Sequence, residues 1–165
     1  MGFLINPYAF TIATATQTFD PTGADGVIGV EATASKGGEK VTDTTTRNKA
    51  IVSMTMRLRS LSSDATGTIN FVIRKTSDSS IVATSTQSFN ANILNNSDLD
   101  KTLNFNSEIL PNESYYAVLE GITGGTISVR GTLSDTSANG NVSYWNGSVW
   151  TDLGRDCYMT ITYIP

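Results

Sequence analysis

The 165-residue chain contains no histidine and one cysteine, Cys157, set in the apolar run that closes the sequence. Imidazole is the commonest biological base, and most serine and cysteine nucleophiles depend on one, so the usual nucleophile and base pairs are missing. Carboxylate pairs remain as candidates for proton transfer, drawn from Asp98, Asp100, Glu108, Glu113, Glu120, Asp152 and Asp156. Two of them facing each other could cleave a glycosidic bond. All seven lie in or beside turn signals, where solvated carboxylates are ordinary, and the chain reads as not an enzyme.

Oxygen donors for a hard cation cluster twice, in Asp20-Pro-Thr-Gly-Ala-Asp25-Gly26 and in Asn95-Asn-Ser-Asp-Leu-Asp100. Calcium takes such ligands from loops, yet neither stretch has EF-hand spacing. Both read as Asx-rich turns, so no metal and no other cofactor is expected. Tyr144, Trp145 and Trp150 flank Asn146-Gly147 and form a candidate glycan platform, because flat rings with a polar edge stack on sugars. Alternation puts Tyr144 and Trp145 on opposite faces of a strand, so at least one belongs to the core. Asn-x-Ser sequons at Asn95, Asn112, Asn141 and Asn146 follow from a composition rich in Asn and Ser.

Net charge is −4, and the eleven Lys and Arg residues stand singly apart from Arg57/Arg59 and Arg74/Lys75. Without a basic stripe to neutralise phosphates, nucleic acid is not an expected partner. No apolar window reaches the length of a membrane span, and no membrane partner is expected. A lone thiol in an apolar run packs as a small hydrophobe, and it has no partner for an intramolecular disulfide.

The polar residues are dominated by Thr (24), Ser (18), Gly (14) and Asn (13), a composition of strands and turns rather than helices. Period-two alternation is clearest in Ile51–Arg59, where Val52, Met54, Met56 and Leu58 share one face and Ser53, Thr55, Arg57 and Arg59 the other. Ile69, Phe71 and Ile73 repeat it, with Thr66-Gly67 expected as the turn between these two strands. Further strands are expected at Phe10–Thr16, Val27–Ala34, Ile81–Phe89, Lys101–Phe105, Ser114–Glu120, Thr126–Ser134, Val142–Trp145, Val149–Leu153 and Cys157–Ile164. Asn146-Gly147 is the strongest hairpin signal, since both residues tolerate the positive φ of a type I′ turn. Thr33–Arg47 is the least patterned stretch and reads as a loop or arm. Short strands every 8–12 residues or so predict an all-β antiparallel sandwich of jelly-roll type.

Two resemblances add to this reading. Met56-Arg-Leu-Arg59, Thr66–Ile73, Ile81–Ser85, Leu103-Asn-Phe105 and Leu110–Glu120, in that order, resemble the jelly-roll modules called choice-of-anchor R domains. This likeness spans roughly the C-terminal two-thirds of the chain and implies fold. The opening, Leu4-Ile-Asn-Pro-Tyr-Ala-Phe10, resembles the N-terminal opening of bacteriophage virion proteins. It lacks the charged n-region of a signal peptide, and its apolar stretch ends at Pro7.

Pro7 holds Asn6 extended. Phe3, Leu4, Ile5, Tyr8 and Phe10 then offer anchors, either for an assembly arm laid on another subunit or for a first strand on the chain's own sandwich. The expected organisation is an arm or first strand over residues 1–16 and one sandwich over 17–165. The resemblance implies a virion structural protein assembled in the host cytoplasm, of the capsid decoration (cement) kind. Its partners would be the major capsid protein or other virion subunits, with a homo-oligomer, a trimer by the local threefold positions of a shell. The competing expectation is a glycan- or receptor-binding module of a tail fibre or surface protein.

Overall fold

The computed structural model describes residues 13–19, 25–31, 36–42, 44–60, 65–133 and 139–165, with the backbone alone over 25–31. The expected anchors Phe3, Leu4, Ile5, Pro7, Tyr8 and Phe10 lie outside the described residues. Strands among the described residues are β1 (Ala15–Phe19), β2 (Asp25–Glu31), β3 (Lys36–Val41), β4 (Ala50–Ser60), β5 (Thr66–Lys75), β6 (Ile81–Thr84) and β7 (Phe89–Asn90). After one 3-10 turn at Ala91–Ile93 come β8 (Leu99–Asn104), β9 (Tyr115–Gly124), β10 (Thr126–Thr132), β11 (Gly140–Trp145), β12 (Trp150–Asp152) and β13 (Met159–Ile164).

They form two antiparallel sheets packed face to face. The first runs β1-β13-β4-β10-β2, with β8 also paired to β4; the second runs β12-β11-β3-β9-β5-β6, with β7 also paired to β5. The chain passes repeatedly from one sheet to the other, so strands distant in sequence meet in register. One core fills the space between, with Met54, Met56, Leu58, Ile69, Phe71, Ile73, Tyr115, Leu119, Ile127 and Ile161 fully buried. This is the all-β sandwich that alternation and turn spacing predict. The expected boundary between residues 16 and 17 falls inside β1, which pairs with β13 from Ala15 to Phe19.

Four local expectations are corrected. Within Thr33–Arg47, Lys36–Val41 is not loop: it is β3, an interior strand bonded to β9 and β11. Lys36-Gly-Gly-Glu-Lys-Val41 has little strand propensity, but two ladders hold it, and tertiary context overrides propensity. Its glycines fit the place. A Cβ on Gly38 would stand 2.1 Å from the carbonyl oxygen of Ala117 on β9.

Thr66-Gly67 is not the turn before β5 but its first two residues, where Gly67 has φ +123° and the register with β9 shifts in a bulge. The Asn146-Gly147 hairpin forms, yet Trp145 pairs with Trp150, so its loop has four residues and Gly147 alone takes positive φ. Asn146 instead caps the loop, its Oδ1 accepting the N–H groups of Ser148 (3.0 Å) and Val149 (3.1 Å). Finally, Val52 does not join the buried face of Met54, Met56 and Leu58. A register shift against β13 turns Ile51 inward in its place.

Candidate functional site

On the outer face of the second sheet, cross-strand register builds a surface from residues that stand far apart in sequence. Lys36 and Lys40 on β3 point outward beside Tyr116, Val118 and Glu120 on β9, while Glu39 and Val41, on either side of Lys40, point into the core. β11 and β12 add Trp145, Ser143, Trp150 and Asp152. Small residues, Gly38 and Ser143, occupy the middle of this face. Trp150 therefore lies across β11 and β3 and stacks on Tyr116, ring centroids 3.9 Å apart and planes 10° from parallel.

Val72, Tyr116 and Val118 form a small outer apolar cluster with Trp150 packed on it. The indole N–H of Trp150 donates to Ser79 Oγ at 2.9 Å, which ties the hairpin to the β5–β6 turn. Trp145 leans on Trp150 with centroids 5.5 Å apart, and the Lys36 ammonium sits 5.1 Å from its ring centroid. That is a cation–π arrangement.

Ion pairs frame the rings. Lys40 Nζ meets Asp152 Oδ2 at 2.8 Å, and the Arg74 guanidinium holds Glu120 with two hydrogen bonds. The hydrogen bond to Asp152 raises the Lys40 pKa. Partial burial pushes Asp152 up, but hydrogen bonds from Lys40 and Ser143 outweigh it and leave the carboxyl below its ordinary value. Burial lowers Lys36 and raises the Tyr116 phenol.

The outer face of the first sheet has another character. In register across four strands stand Thr18, Thr160, Thr55 and Thr102, and beside them Thr16, Thr162, Ser53 and Asn104. Neighbouring hydroxyls bond in pairs, Thr55 with Thr102 at 2.8 Å and Thr160 with Thr18 at 3.3 Å. At one end of these rows Arg57 makes a two-point bond to Asp100, Nε to Oδ1 at 2.8 Å and Nη2 to Oδ2 at 3.1 Å, and packs 4.9 Å over the Tyr158 ring. Arg57 draws the Asp100 carboxyl below its usual pKa.

The chain matches no known protein family and no curated protein.

The carboxylates considered for catalysis are dispersed. Asp98 pairs with Arg130, Asp100 with Arg57, Glu120 with Arg74 and Asp152 with Lys40. Glu108 accepts the Asn106 N–H, and Glu113 accepts the Ser77 hydroxyl. Asp156 departs from the expectation of a solvated turn carboxylate, since it is fully buried beside Cys157. There Glu39 Oε2 accepts the Cys157 N–H at 3.1 Å. Burial, together with Glu39, holds the Cys157 thiol well above its ordinary pKa, so it stays protonated and unreactive.

Of the two oxygen-rich stretches, residues 20–24 lie outside the described residues. In the other, Asn96, Asp98 and Asp100 turn their side-chain oxygens to Arg59, Arg130 and Arg57. Among the described residues no three His, Cys, Asp or Glu side chains gather as a metal site.

The three residues of the expected platform are all half-buried, Trp145 and Trp150 together on the outer face and Tyr144 on the strand's other side. Sequence reasoning missed Tyr116, Lys36 and Lys40. The Tyr115-Tyr116 doublet in an alternating strand was the available signal, since one of the pair must point outward. Nothing local marked Lys36–Val41 as a strand.

Proposed function

We propose that this chain is a non-enzymatic virion structural protein of the capsid decoration kind, working through contact between finished surfaces. The observation that carries the reading is the outer face of the second sheet. Trp145, Trp150, Tyr116 and Lys36 make an ordered aromatic and cationic patch there, and the adjoining carboxylates are matched to cations. Aromatic area bordered by fixed charges is what a specific protein contact uses at its centre and rim.

The phage-like opening supports a virion setting. Its apolar residues from Phe3 to Phe10 would reach the major capsid protein or a second copy of the chain, in a trimer at the shell's local threefold positions. Binding many capsomer edges in this way would hold the shell against internal pressure without chemistry. The test is particle incorporation with the full chain and with a variant lacking residues 1–10. The reading expects the full chain on purified particles and raised heat resistance of the shell, both lost in the shortened variant. Undiminished incorporation of the shortened variant would remove the arm from the account.

A second reading is favoured by Trp145, whose half-buried ring sits beside the tip of the β11–β12 hairpin where a sugar could stack. Here the chain would be the glycan-binding module of a tail fibre or surface protein. Glycan-array binding abolished by Trp145→Ala would favour that role over shell stabilisation.

A further inference from the structure

On the face opposite the aromatic patch, the first sheet carries a shallow groove of about 200 Å³, lined by Thr18, Thr55, Thr160, Arg57, Asp100 and Tyr158. We infer that this groove is a binding site for a neutral sugar, held by its hydroxyl groups on the Arg57–Asp100 pair. This goes beyond the decoration reading and stands independently of it.

The Arg57–Asp100 ion pair keeps hydrogen-bonding capacity on both partners. Arg57 spends Nε and one Nη2 hydrogen on Asp100, which leaves the Nη1 hydrogens and the second Nη2 hydrogen to donate. Each Asp100 oxygen accepts one bond from Arg57 and retains a further lone pair. A planar pair of this kind shows a donor edge and an acceptor edge side by side. Two adjacent sugar hydroxyls, each able to donate and accept, are complementary to it. A simple anion would meet the Asp100 carboxylate, and a simple cation would meet Arg57.

The walls fit the same class of ligand. The threonine rows are placed by strand register rather than by flexible loops, on backbones about 4.8 Å apart, and the Thr160–Thr18 hydroxyl contact at 3.3 Å holds one pair in place. Each threonine adds a methyl group to its hydroxyl, which suits the mixed polar and apolar surface of a pyranose. Tyr158 braces the guanidinium from below, so Arg57 is positioned before any ligand arrives. A site held in place in advance loses less conformational entropy on binding.

The test uses the full chain, titrated with the methyl glycosides of glucose, galactose, mannose and N-acetylglucosamine at millimolar concentration. Binding is read by amide chemical shifts. At least one glycoside should shift the amides of Thr18, Thr55, Arg57 and Thr160, and Asp100→Ala and Arg57→Ala should each weaken it about tenfold or more. Trp145→Ala should leave this binding unchanged. Thermal unfolding checks that each variant is folded, and Asp100→Asn serves as a second, shape-preserving variant. No shift with any of the four glycosides would overturn the proposal, as would binding that survives Asp100→Ala but disappears with Trp145→Ala. Particle incorporation should be unaffected by Asp100→Ala, which separates failure of the groove from failure of the decoration reading.

Discussion

Trp150 on the edge strand β12 lies flat on Tyr116 of β9 with two strands passing between them, at a centroid separation of 3.9 Å. The contact is possible because Gly38 and Ser143 leave the middle of the sheet face low. It fastens a three-residue edge strand to the interior of the sheet. Stacked aromatic pairs contribute about 0.5–1.5 kcal/mol beyond the area they bury. Trp150→Ala is therefore expected to lower unfolding free energy by about 2–3 kcal/mol, measured by urea denaturation. Trp145→Ala, which removes a ring farther from the cluster, should cost under about 1 kcal/mol. Equal losses in the two variants would contradict this division of labour.

The glycines of β3 supply a second expectation. Gly38→Ala places a methyl group 2.1 Å from the Ala117 carbonyl oxygen, a backbone atom with nowhere to go. The β3–β9 ladder must separate, and the cost should exceed about 3 kcal/mol or prevent folding, as severe overpacking does. Gly154→Ala is the comparison. No atom lies within 4 Å of its Cβ position, so only its φ of +58° is penalised, by about 1 kcal/mol. Thermal unfolding of the two variants should rank them in that order.

The Lys40–Asp152 pair makes stability depend on pH from both sides. The Asp152 pKa is depressed in the folded state, so its contribution is present above the unfolded value of about 3.9 and is lost as pH falls through the folded one. The Lys40 pKa is raised, so its contribution is complete below about 10.4 and is lost as pH rises through the folded value. The pair is partly exposed, and solvent keeps the effect within about 1 kcal/mol. Melting temperature measured from pH 3 to 11 should fall at both ends, and Asp152→Asn should shrink both falls. A variant with the parent's full alkaline loss would contradict the pairing.

Cys157 should be inert while the protein is folded. It is fully buried, and its thiol is held protonated by burial and by Glu39. Labelling with a thiol reagent at pH 8 should proceed only as fast as the core opens, and should become rapid in urea. Fast labelling of the native protein would mean that the β10–β13 end of the sandwich opens locally.

The sandwich was legible because its core strands obey a simple rule. Met54, Met56 and Leu58 alternate with Thr55 and Arg57, and Ile69, Phe71 and Ile73 repeat the pattern, so strand type and buried face follow from side chains alone. β3 was not legible. Its Lys-Gly-Gly-Glu-Lys-Val sequence encodes no strand, and only the ladders on either side impose one. Glu39 sits inside it as a buried carboxyl group, which its residue type taken alone would assign to solvent.

The aromatic patch was half legible for the same reason. Trp145 and Trp150 are joined by a local hairpin, but Tyr116 reaches them through the register of β9, β3 and β11. The Arg57–Asp100 groove depends on β4 meeting β8 and β13, pairings between segments more than 40 residues apart. No spacing in the sequence announces those meetings.

Direct visualisation of purified particles tests the proposed non-enzymatic virion role most directly. Cryo-electron microscopy should place a two-sheet sandwich of this size on the particle in a fixed, repeated position, in contact with the major capsid protein or another virion subunit. Particles of intact composition that lack the chain would contradict the account.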